Sequence, residues 1–372
     1  MKQLIHSTWI EIDIVQFKKN LHAIKERLGN TLYCLPVKAN AYGHGLCPIA
    51  KAAEEAGCDY LAVSNLNEGI TLRQSGITIP ILVLGAFALE QIPYFISFDL
   101  EFTLSSLYKA EAVLNYCKET KKICKVHLEV DTGMQRTGVR AKTFEKLYEY
   151  VRKHKEFNIL GIYSHFAVAD EVNHPFTHKQ MQIFENLIKK LKPPTDVICH
   201  IANSGGVSFY PSSYLHMARP GLISYGYKPC QFLQDLEIKA CFTLKSKISY
   251  FKVVDEGVGI SYSHTYKTCA KTRIVTVPIG YGDGYRRGLS NKAAVLIKGK
   301  RYPIVGNICM DQFMVDIGMD EAYVGDEVVL IGKQGNEEIT VEEMAKLYNS
   351  IPYEVLCSFN ERIPRIYIEA AP

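Results

Sequence analysis

Lys38 follows an apolar run, residues 32–37, and opens the glycine-containing segment 38–45. A short apolar run bounded in this way is typical of a buried strand, and a cation at its exit must face water, a partner or a ligand. A partly desolvated lysine has a lowered pKa, so its amine can attack a carbonyl and hold an aldehyde cofactor as a Schiff base. A lysine that only extends into solvent is the ordinary alternative.

Other polar residues stand where they could complete such a site. Residues 200–206 could open a short helix whose backbone amides and Ser204 hydroxyl suit a phosphate dianion, although any capped helix start has this pattern. Arg219 ends another apolar run, where a surface ion pair is the common alternative. His165 and Tyr262 could equally be a core histidine and a half-buried strand tyrosine. Whether these residues lie close together depends on the fold.

Eight short apolar runs position most of these candidates, and helical patterns separate them. The runs cover residues 32–37, 60–63, 81–84, 101–104, 125–130, 160–164, 197–201 and 217–222, with helical patterns such as 46–56, 106–119 and 176–191. This alternation predicts an α/β fold, a closed (β/α)8 TIM barrel with its chemistry at the carboxyl ends of the strands. An open doubly wound sheet fits the same periodicity.

After about residue 234 the pattern changes to short apolar runs separated by turn residues, at 241–251, 273–277, 293–297, 302–305, 312–316 and 327–331. One helix is indicated by Thr340 and Glu343, a capping-box pair. A chain of 372 residues is long for one core. We therefore predict a barrel over residues 1–235 and a mainly β domain over residues 236–372.

Composition excludes several classes of function. The net charge of +4 is too small and too scattered to predict a nucleic-acid or membrane surface. The eleven cysteines contain no CxxC pair and lie in apolar segments, which is typical of reduced thiols in a cytoplasmic protein. Residues 1–6 lack the apolar region of a signal peptide, and no run is long enough to span a bilayer. We expect no metal site.

Residues 37–45 resemble the pyridoxal-phosphate attachment motif of bacterial alanine racemases, enzymes of fold type III. The resemblance extends from residues 8–12 to residues 363–367, nearly the whole chain. It implies a barrel followed by a β domain, with the first strand, at about residues 8–12, joining the C-terminal domain. It also implies pyridoxal 5'-phosphate as the cofactor and a head-to-tail homodimer with two equivalent sites across one interface.

The resemblance assigns two catalytic bases. Racemisation removes a proton from one face of a planar carbanion and returns one to the other face, so one base per face is the simplest arrangement. Lys38 matches the first base, and Tyr262 of the neighbouring subunit matches the second. A phenol, with a reference pKa of about 10, is a weak base at neutral pH, and His165 matches the family histidine that hydrogen-bonds it.

Arg219 matches the arginine that faces the pyridine nitrogen of the cofactor. Arginine has only donors and stays protonated, so the ring nitrogen must accept and must remain unprotonated. A neutral pyridine is a weak electron sink, which shortens the lifetime of the carbanion and disfavours transamination.

The remaining matches concern the phosphate and the substrate. Arg136 matches the arginine that contacts the cofactor phenolate and the substrate carboxylate. The phosphate ligands are implied to be Tyr42, Ser204, Gly221 and Tyr353. The substrate contacts and orienting residues are implied to be the amide of Met310, Tyr281 at the entrance, Tyr353 against the side chain, and Asp311.

Three positions depart from the family pattern. Family members commonly carry a lysine, often carbamylated, where this chain has Glu129. We expect the Glu129 carboxylate to replace the carbamate and to orient Arg136. Asn307 stands where arginine is frequent and Ser263 where glycine is frequent, which leaves specificity open.

The resemblance implies an enzyme that interconverts L- and D-alanine and supplies D-alanine for peptidoglycan. A serine or broad-specificity racemase on the same scaffold is an alternative, because a methyl and a hydroxymethyl group differ little in a small pocket. A non-enzymatic pyridoxal-phosphate-binding protein, which would resemble only the barrel half, and a barrel decarboxylase are further alternatives.

Overall fold

The computed structural model describes residues 6–228 and 235–369. These residues form two compact units. The barrel unit comprises residues 16–41, 46–228 and 235–240, and the β unit comprises residues 6–15, 42–45 and 241–369.

Eight parallel strands of the barrel unit coincide with the eight predicted runs: Leu32–Pro36, Tyr60–Val63, Ile81–Val83, Glu101–Leu104, Cys124–Asp131, Phe157–Tyr163, Ile198–His200 and Met217–Ala218. They pair in chain order, and a short strand, Val139–Arg140, adds to Cys124–Asp131. Met217–Ala218 pairs back with Leu32–Pro36, and Arg219 N donates to Ala202 O at 2.8 Å. The nearly closed ring confirms the (β/α)8 barrel and excludes the open sheet.

Helices alternate with these strands: Ile14–Leu28, Leu46–Glu55, Leu66–Gln74, Ile92–Ser97, Leu107–Thr120, Ala141–Arg152, Pro175–Leu191 and Ser204–Phe209. Several begin at side-chain caps, as where Ser106 Oγ accepts from Lys109 N at 3.3 Å. The predicted strand 217–222 is too long. The strand ends at Ala218, because Pro220 has no amide for a ladder, and Leu222–Tyr225 forms a 3-10 helix.

A ten-stranded sheet forms the β unit. Its strands are Trp9–Asp13, Phe242–Lys247, Tyr250–Val254, Thr272–Val277, Ala294–Ile297, Lys300–Val305, Phe313–Asp316, Glu327–Gln334, Glu337–Ile339 and Arg365–Ile368. Trp9–Asp13 lies between Phe242–Lys247, antiparallel, and Arg365–Ile368, parallel. The short strands Gly259–Ile260 and Tyr266–Lys267 pair separately. This mainly β architecture matches the expected second part of the fold.

Two local predictions in the β unit need correction. The run 241–251 is two strands, because the ladder breaks after Lys247 and resumes at Tyr250. Thr340 Oγ1 does accept from Glu343 N at 3.0 Å and caps the helix Val341–Leu347, but the Glu343 carboxylate pairs with Arg301 instead of completing a capping box. A second helix, Pro352–Ser358, follows.

Aromatic stacking stabilises the interior of each unit. In the barrel unit Phe95 stacks on Phe102, with ring centroids 4.6 Å apart, and in the β unit Tyr285 stacks on Phe313 at 5.2 Å. No helix within residues 6–228 or 235–369 has both the length and the apolar character needed to cross a bilayer.

Candidate active site

Lys38 lies half-buried where the first barrel strand ends, and the backbone after it has a left-handed conformation. Ala39, Asn40 and Ala41 have φ values of 53°, 55° and 51°, a left-handed turn formed without glycine. Each such L-residue costs about 1–2 kcal/mol. Strain of this size persists only where surrounding contacts impose it, and it is concentrated at functional sites.

Glu68 holds the first residue of this turn. Its Oε1 accepts from Ala39 N at 2.7 Å and its Oε2 accepts from Ser64 N at 2.8 Å, so one carboxylate holds the backbone beyond two neighbouring strands. Asn65 Oδ1 caps the same helix at Glu68 N, 3.0 Å away. Glu68 was not among the residues predicted from the sequence. The available signal was Asn65 with Glu68 three residues later. This pattern indicates the start of a helix, but not a contact with the turn after Lys38.

Arg219 is buried at the end of the last barrel strand. Its Nη2 donates to Ser164 O at 2.8 Å and lies 3.4 Å from His165 Nδ1, while Nη1 donates to His200 Nδ1. The guanidinium also lies over the ring of Tyr163, 5.1 Å from its centroid. These contacts come from the ends of two neighbouring strands, Phe157–Tyr163 and Ile198–His200, so Arg219 has one well-determined position.

The pKa of His165 lies well below its ordinary value. Burial is the largest cause, followed by the positive charges of Arg219, Arg136 and Lys38. Three cations predicted for the site therefore act on one imidazole, which places their charges at the same end of the barrel. His165 is neutral at physiological pH and can accept a hydrogen bond.

Ser204 and Gly221, both predicted to bind phosphate, are in direct contact. Asn203 Oδ1 caps the helix Ser204–Phe209 by accepting from Gly206 N at 3.0 Å. The Ser204 hydroxyl accepts from Gly221 N at 2.9 Å. The two groups thus lie together at a helix start, where the Ser204 hydroxyl, whose oxygen accepts from Gly221, still has its own proton to donate to an anion.

Glu129 is buried, and burial raises the pKa of its carboxyl group. Its Oε1 accepts from Thr137 Oγ1 at 2.8 Å, and no group in the described part of the chain hydrogen-bonds its Oε2. Arg136 is exposed and acts on the carboxylate through space alone, since no ion pair joins the two among the described residues. The structure brings Glu129 to the loop that carries Arg136 without pairing them.

Tyr262 belongs to the β unit, where 72% of it is exposed. Its neighbours are strained: Ser261 has φ 62° and ψ −172°, a region that glycine almost alone occupies, and Ser263 has φ 60°. Asn307 Nδ2 donates to Tyr262 O at 2.8 Å, and Ser261 Oγ donates to Asn307 O at 2.6 Å. Of the departures from the family pattern, Asn307 thus bonds the backbone of Tyr262, and Ser263 is the strained residue that follows it.

An open pocket of about 640 Å³ lies beside Tyr262 in the β unit, lined in part by Tyr250, Ile260 and Met314. Tyr281 and Met310 are exposed, and their segments are joined where Gly282 N donates to Met310 O at 2.8 Å. A side chain at Gly280 would stand 2.2 Å from Cys309 O, so this close backbone approach requires glycine.

Three further predicted residues of the β unit have defined partners. Asp311 accepts from Arg362 Nη2 at 2.8 Å. The rings of Tyr42 and Tyr353 have centroids 5.7 Å apart, so these two proposed phosphate ligands meet, and burial raises the pKa of Tyr42. Within the described ranges no three acidic, histidine or cysteine side chains form a cluster that could hold a metal ion.

Comparison with known proteins gives full-length matches. The family models for the alanine racemase N-terminal and C-terminal domains match residues 12–229 and 241–367. The alanine racemase of Halothermothrix orenii is 39% identical over 371 residues, 98% of each chain. That of Carboxydothermus hydrogenoformans is 40% identical over 366 residues, 97% of this chain and 99% of the relative.

A solved structure of alanine racemase from Clostridium difficile 630 has a TM-score of 0.93 and 39% identity, covering 98% of this chain and 97% of that one. The folds of both units and the sequence resemblance therefore indicate the same family. The chain belongs to the alanine racemase family.

Proposed function

We propose that this chain is a pyridoxal-phosphate-dependent alanine racemase, an isomerase that interconverts L- and D-alanine. The observation that carries the proposal is that the family match includes residues 241–367, the part that holds Tyr262. A non-catalytic pyridoxal-phosphate carrier would resemble the barrel half alone. The second domain therefore favours an enzyme.

The donor set suits pyridoxal phosphate. Lys38 supplies a half-buried amine for the aldehyde, Arg219 supplies donors for the ring nitrogen, and Ser204 with the Gly221 amide suits the phosphate. By resemblance Tyr42 and Tyr353 are proposed as further phosphate ligands. When bound, this cofactor withdraws electron density from the α-carbon of the substrate, so that its proton can be removed.

Arg219 would limit this electron withdrawal. A guanidinium can only donate, so the ring nitrogen facing it would accept and remain unprotonated. The buried contacts with Ser164, His165 and His200 support a fixed arginine in this role. A racemase benefits because a short-lived negative charge at the α-carbon leaves little time for transamination.

Lys38 and Tyr262 would act as bases on opposite faces of the substrate. Nζ of Lys38 would take the α-proton of D-alanine, and Oη of Tyr262, contributed by a second copy of the chain, would take that of L-alanine. The neutral state of His165 is compatible with its proposed hydrogen bond to the phenol. The exposure of Tyr262 and its neighbouring pocket support a homodimer in which this surface is covered.

Arg136 and the amide of Met310 are proposed to bind the substrate carboxylate, with Tyr281 at the entrance. Tyr353 would crowd the substrate side chain and favour a methyl group. We propose that Glu129 orients Arg136 when substrate is bound. The product would serve peptidoglycan synthesis in the cytoplasm, a compartment consistent with the free thiols of the cysteines in the described part of the chain.

Circular dichroism tests the proposal. Purified protein with added pyridoxal phosphate is given L-alanine and, in parallel, L-serine. We expect the alanine signal to decay to zero much faster than the serine signal. Comparable decay of both would instead identify a broad-specificity racemase, and no decay of either, with the cofactor bound to Lys38, would contradict racemisation of these substrates.

A further inference from the structure

Four buried polar side chains form a continuous hydrogen-bonded row inside the barrel unit. Glu101 Oε2 lies 2.9 Å from His127 Nε2, His127 Nδ1 lies 3.0 Å from His200 Nε2, and His200 Nδ1 contacts Arg219 Nη1. Their exposed fractions are 4%, 0%, 0% and 3%. The row connects the first residue of strand Glu101–Leu104 to the arginine after the last strand.

The chemistry of the groups fixes the direction of every bond. Arg219 has only donors, so His200 Nδ1 must accept and cannot carry a proton. Burial and the positive charge of Arg219 also hold the pKa of His200 well below its usual value, so its single proton lies on Nε2 and is donated to His127 Nδ1. His127 then carries its proton on Nε2 and donates it to the carboxylate of Glu101. All three bonds point from the guanidinium to the carboxylate.

Aromatic rings hold the two imidazoles in place. Tyr163 stacks on His200, with centroids 4.9 Å apart and an interplanar angle of 15°, and its hydroxyl lies 2.9 Å from Thr103 Oγ1. Tyr60 packs edge-on against His127 at 6.5 Å. The rings therefore cannot rotate to exchange donors and acceptors without disturbing the core.

The charges at the two ends are complementary. Buried charges are normally paired, yet within the described residues no carboxylate forms a direct ion pair with Arg219. Glu101 likewise has only His127 as an ion-pair partner in the described part of the chain. The carboxylate and the guanidinium are thus the two ends of one row, with the two imidazole rings between them.

We propose that Glu101 is a positioning residue for Arg219: its carboxylate fixes the tautomers of His127 and His200 and, through them, orients the guanidinium and weakens it as a donor. The polarisation of connected hydrogen bonds carries this effect along the row. The effect of this weaker donor on the ring nitrogen of the cofactor rests on the proposed function. The hydrogen-bonded row itself does not.

NMR spectroscopy of the full-length protein with its cofactor, labelled with ¹⁵N in histidine, tests the row directly. Variants His127→Gln and His200→Gln assign the signals. We expect both rings to carry a proton on Nε2 and none on Nδ1. A proton on Nδ1 of His200, or a doubly protonated ring at either position, would overturn the proposal without any variant at Glu101.

Glu101→Gln then removes the charge and keeps an acceptor oxygen. The Nε2 proton of His127 is expected to move upfield, because a bond to a neutral acceptor is weaker than one to a carboxylate. Asp59→Asn is the matched control: Asp59 Oδ2 accepts from Tyr33 N at 2.8 Å in the same unit, outside the row. We expect Asp59→Asn to leave the His127 resonance in place, and an equally unmoved resonance in Glu101→Gln contradicts the proposal.

A second readout separates donor strength from loss of structure. Pyruvate forms when the amino group of alanine passes to the cofactor, whose aldehyde carbon is reduced to the amine as alanine is oxidised. Glu101→Gln should make Arg219 a stronger donor. We therefore expect the ratio of pyruvate formed to alanine racemised to rise severalfold. General destabilisation would lower both products together, so an unchanged ratio overturns the link to Arg219.

The two readouts distinguish this inference from the proposed function. Predicted tautomers and a shifted His127 resonance, in a protein that does not racemise alanine, support the row and count against the function. If the protein racemises alanine and its His127 resonance does not move in Glu101→Gln, the proposed function is supported and the role of Glu101 is contradicted.

Discussion

Nη1 of Arg219 donates to Nδ1 of His200, and both side chains are buried. An imidazole that accepts from a guanidinium cannot become protonated at that nitrogen without losing the bond and gaining a repulsive neighbour. The same arginine lies 3.4 Å from Nδ1 of His165. Burial lowers the pKa of both histidines most, and the charge of Arg219 lowers both further.

Stability should consequently fall with acidification. His165 and His200 have folded-state pKa values below the unfolded value of about 6.5, so below that pH the unfolded chain binds more protons than the folded one. Their contribution is complete above pH 6.5 and is lost as pH falls, at up to about 1.4 kcal/mol per pH unit for the fully buried His200. Burial raises the pKa of Glu129, so protonation of this carboxyl group has the opposite effect and adds stability to the folded state as pH falls.

Urea unfolding of the wild type and of His200→Gln between pH 7.5 and pH 5 measures this loss. Glutamine can accept from Arg219 and donate to His127, but it does not titrate. We expect the variant to lose less stability than the wild type over this range. Parallel curves would show that His200 is not the group responsible.

Substitution of Ala39 should reveal the strain in the left-handed turn. Ala39 is exposed with φ 53°, a conformation that glycine adopts freely and a β-branched residue strongly resists. We expect Ala39→Val to destabilise by about 1–2 kcal/mol, and Ala39→Gly to be neutral or stabilising by up to about 1 kcal/mol. Chemical denaturation gives both values.

Ala112→Gly provides the matched control, because Ala112 lies within the right-handed helix Leu107–Thr120. There the same change should destabilise by about 1 kcal/mol. Equal destabilisation at both positions would mean that the turn at Ala39 is not left-handed in solution.

Asn307→Ala should impair catalysis more than stability. The change removes the donor to Tyr262 O, so the strained segment around Tyr262 can relax. We expect kcat to fall by roughly tenfold, the loss typical of removing a group that orients a site residue, with a modest decrease in melting temperature. Gln334→Ala removes an amide that accepts from Gly299 N in the same unit and should leave kcat unchanged. A fully active Asn307→Ala enzyme would show that this bond is dispensable.

Glu129→Gln tests the orienting role of the carboxylate. Glutamine still accepts from Thr137 Oγ1 but no longer attracts Arg136, so we expect the KM for alanine to rise by roughly tenfold, as for a lost charge-assisted bond. Thr137→Val removes the hydroxyl and retains the charge, and should have the smaller effect. Steady-state racemisation without added bicarbonate measures both, and an unaltered KM in Glu129→Gln would remove Glu129 from the site.

The sequence predicted the strands because each barrel strand is a short, nearly continuous apolar run. It could not predict the row from Glu101 to Arg219. Glu101 and His127 stand within such runs as isolated polar residues, and only closure of the barrel brings side chains 26 and 73 positions apart into contact. The motif carrying Lys38 was identifiable, whereas the left-handed turn after it was not, since alanine and asparagine do not require positive φ and Glu68 acts from another strand's helix.

Hydrogen exchange at the α-carbon tests the two-base account most directly. Tyr262→Phe is incubated in deuterated water with pyridoxal phosphate and either D- or L-alanine, and deuterium at the α-carbon is followed by proton NMR. Since Lys38 remains, we predict exchange into D-alanine that far exceeds exchange into L-alanine, with racemisation nearly abolished. Equal exchange into both enantiomers, or racemisation at the wild-type rate, would contradict the assignment of Tyr262 as the base for L-alanine.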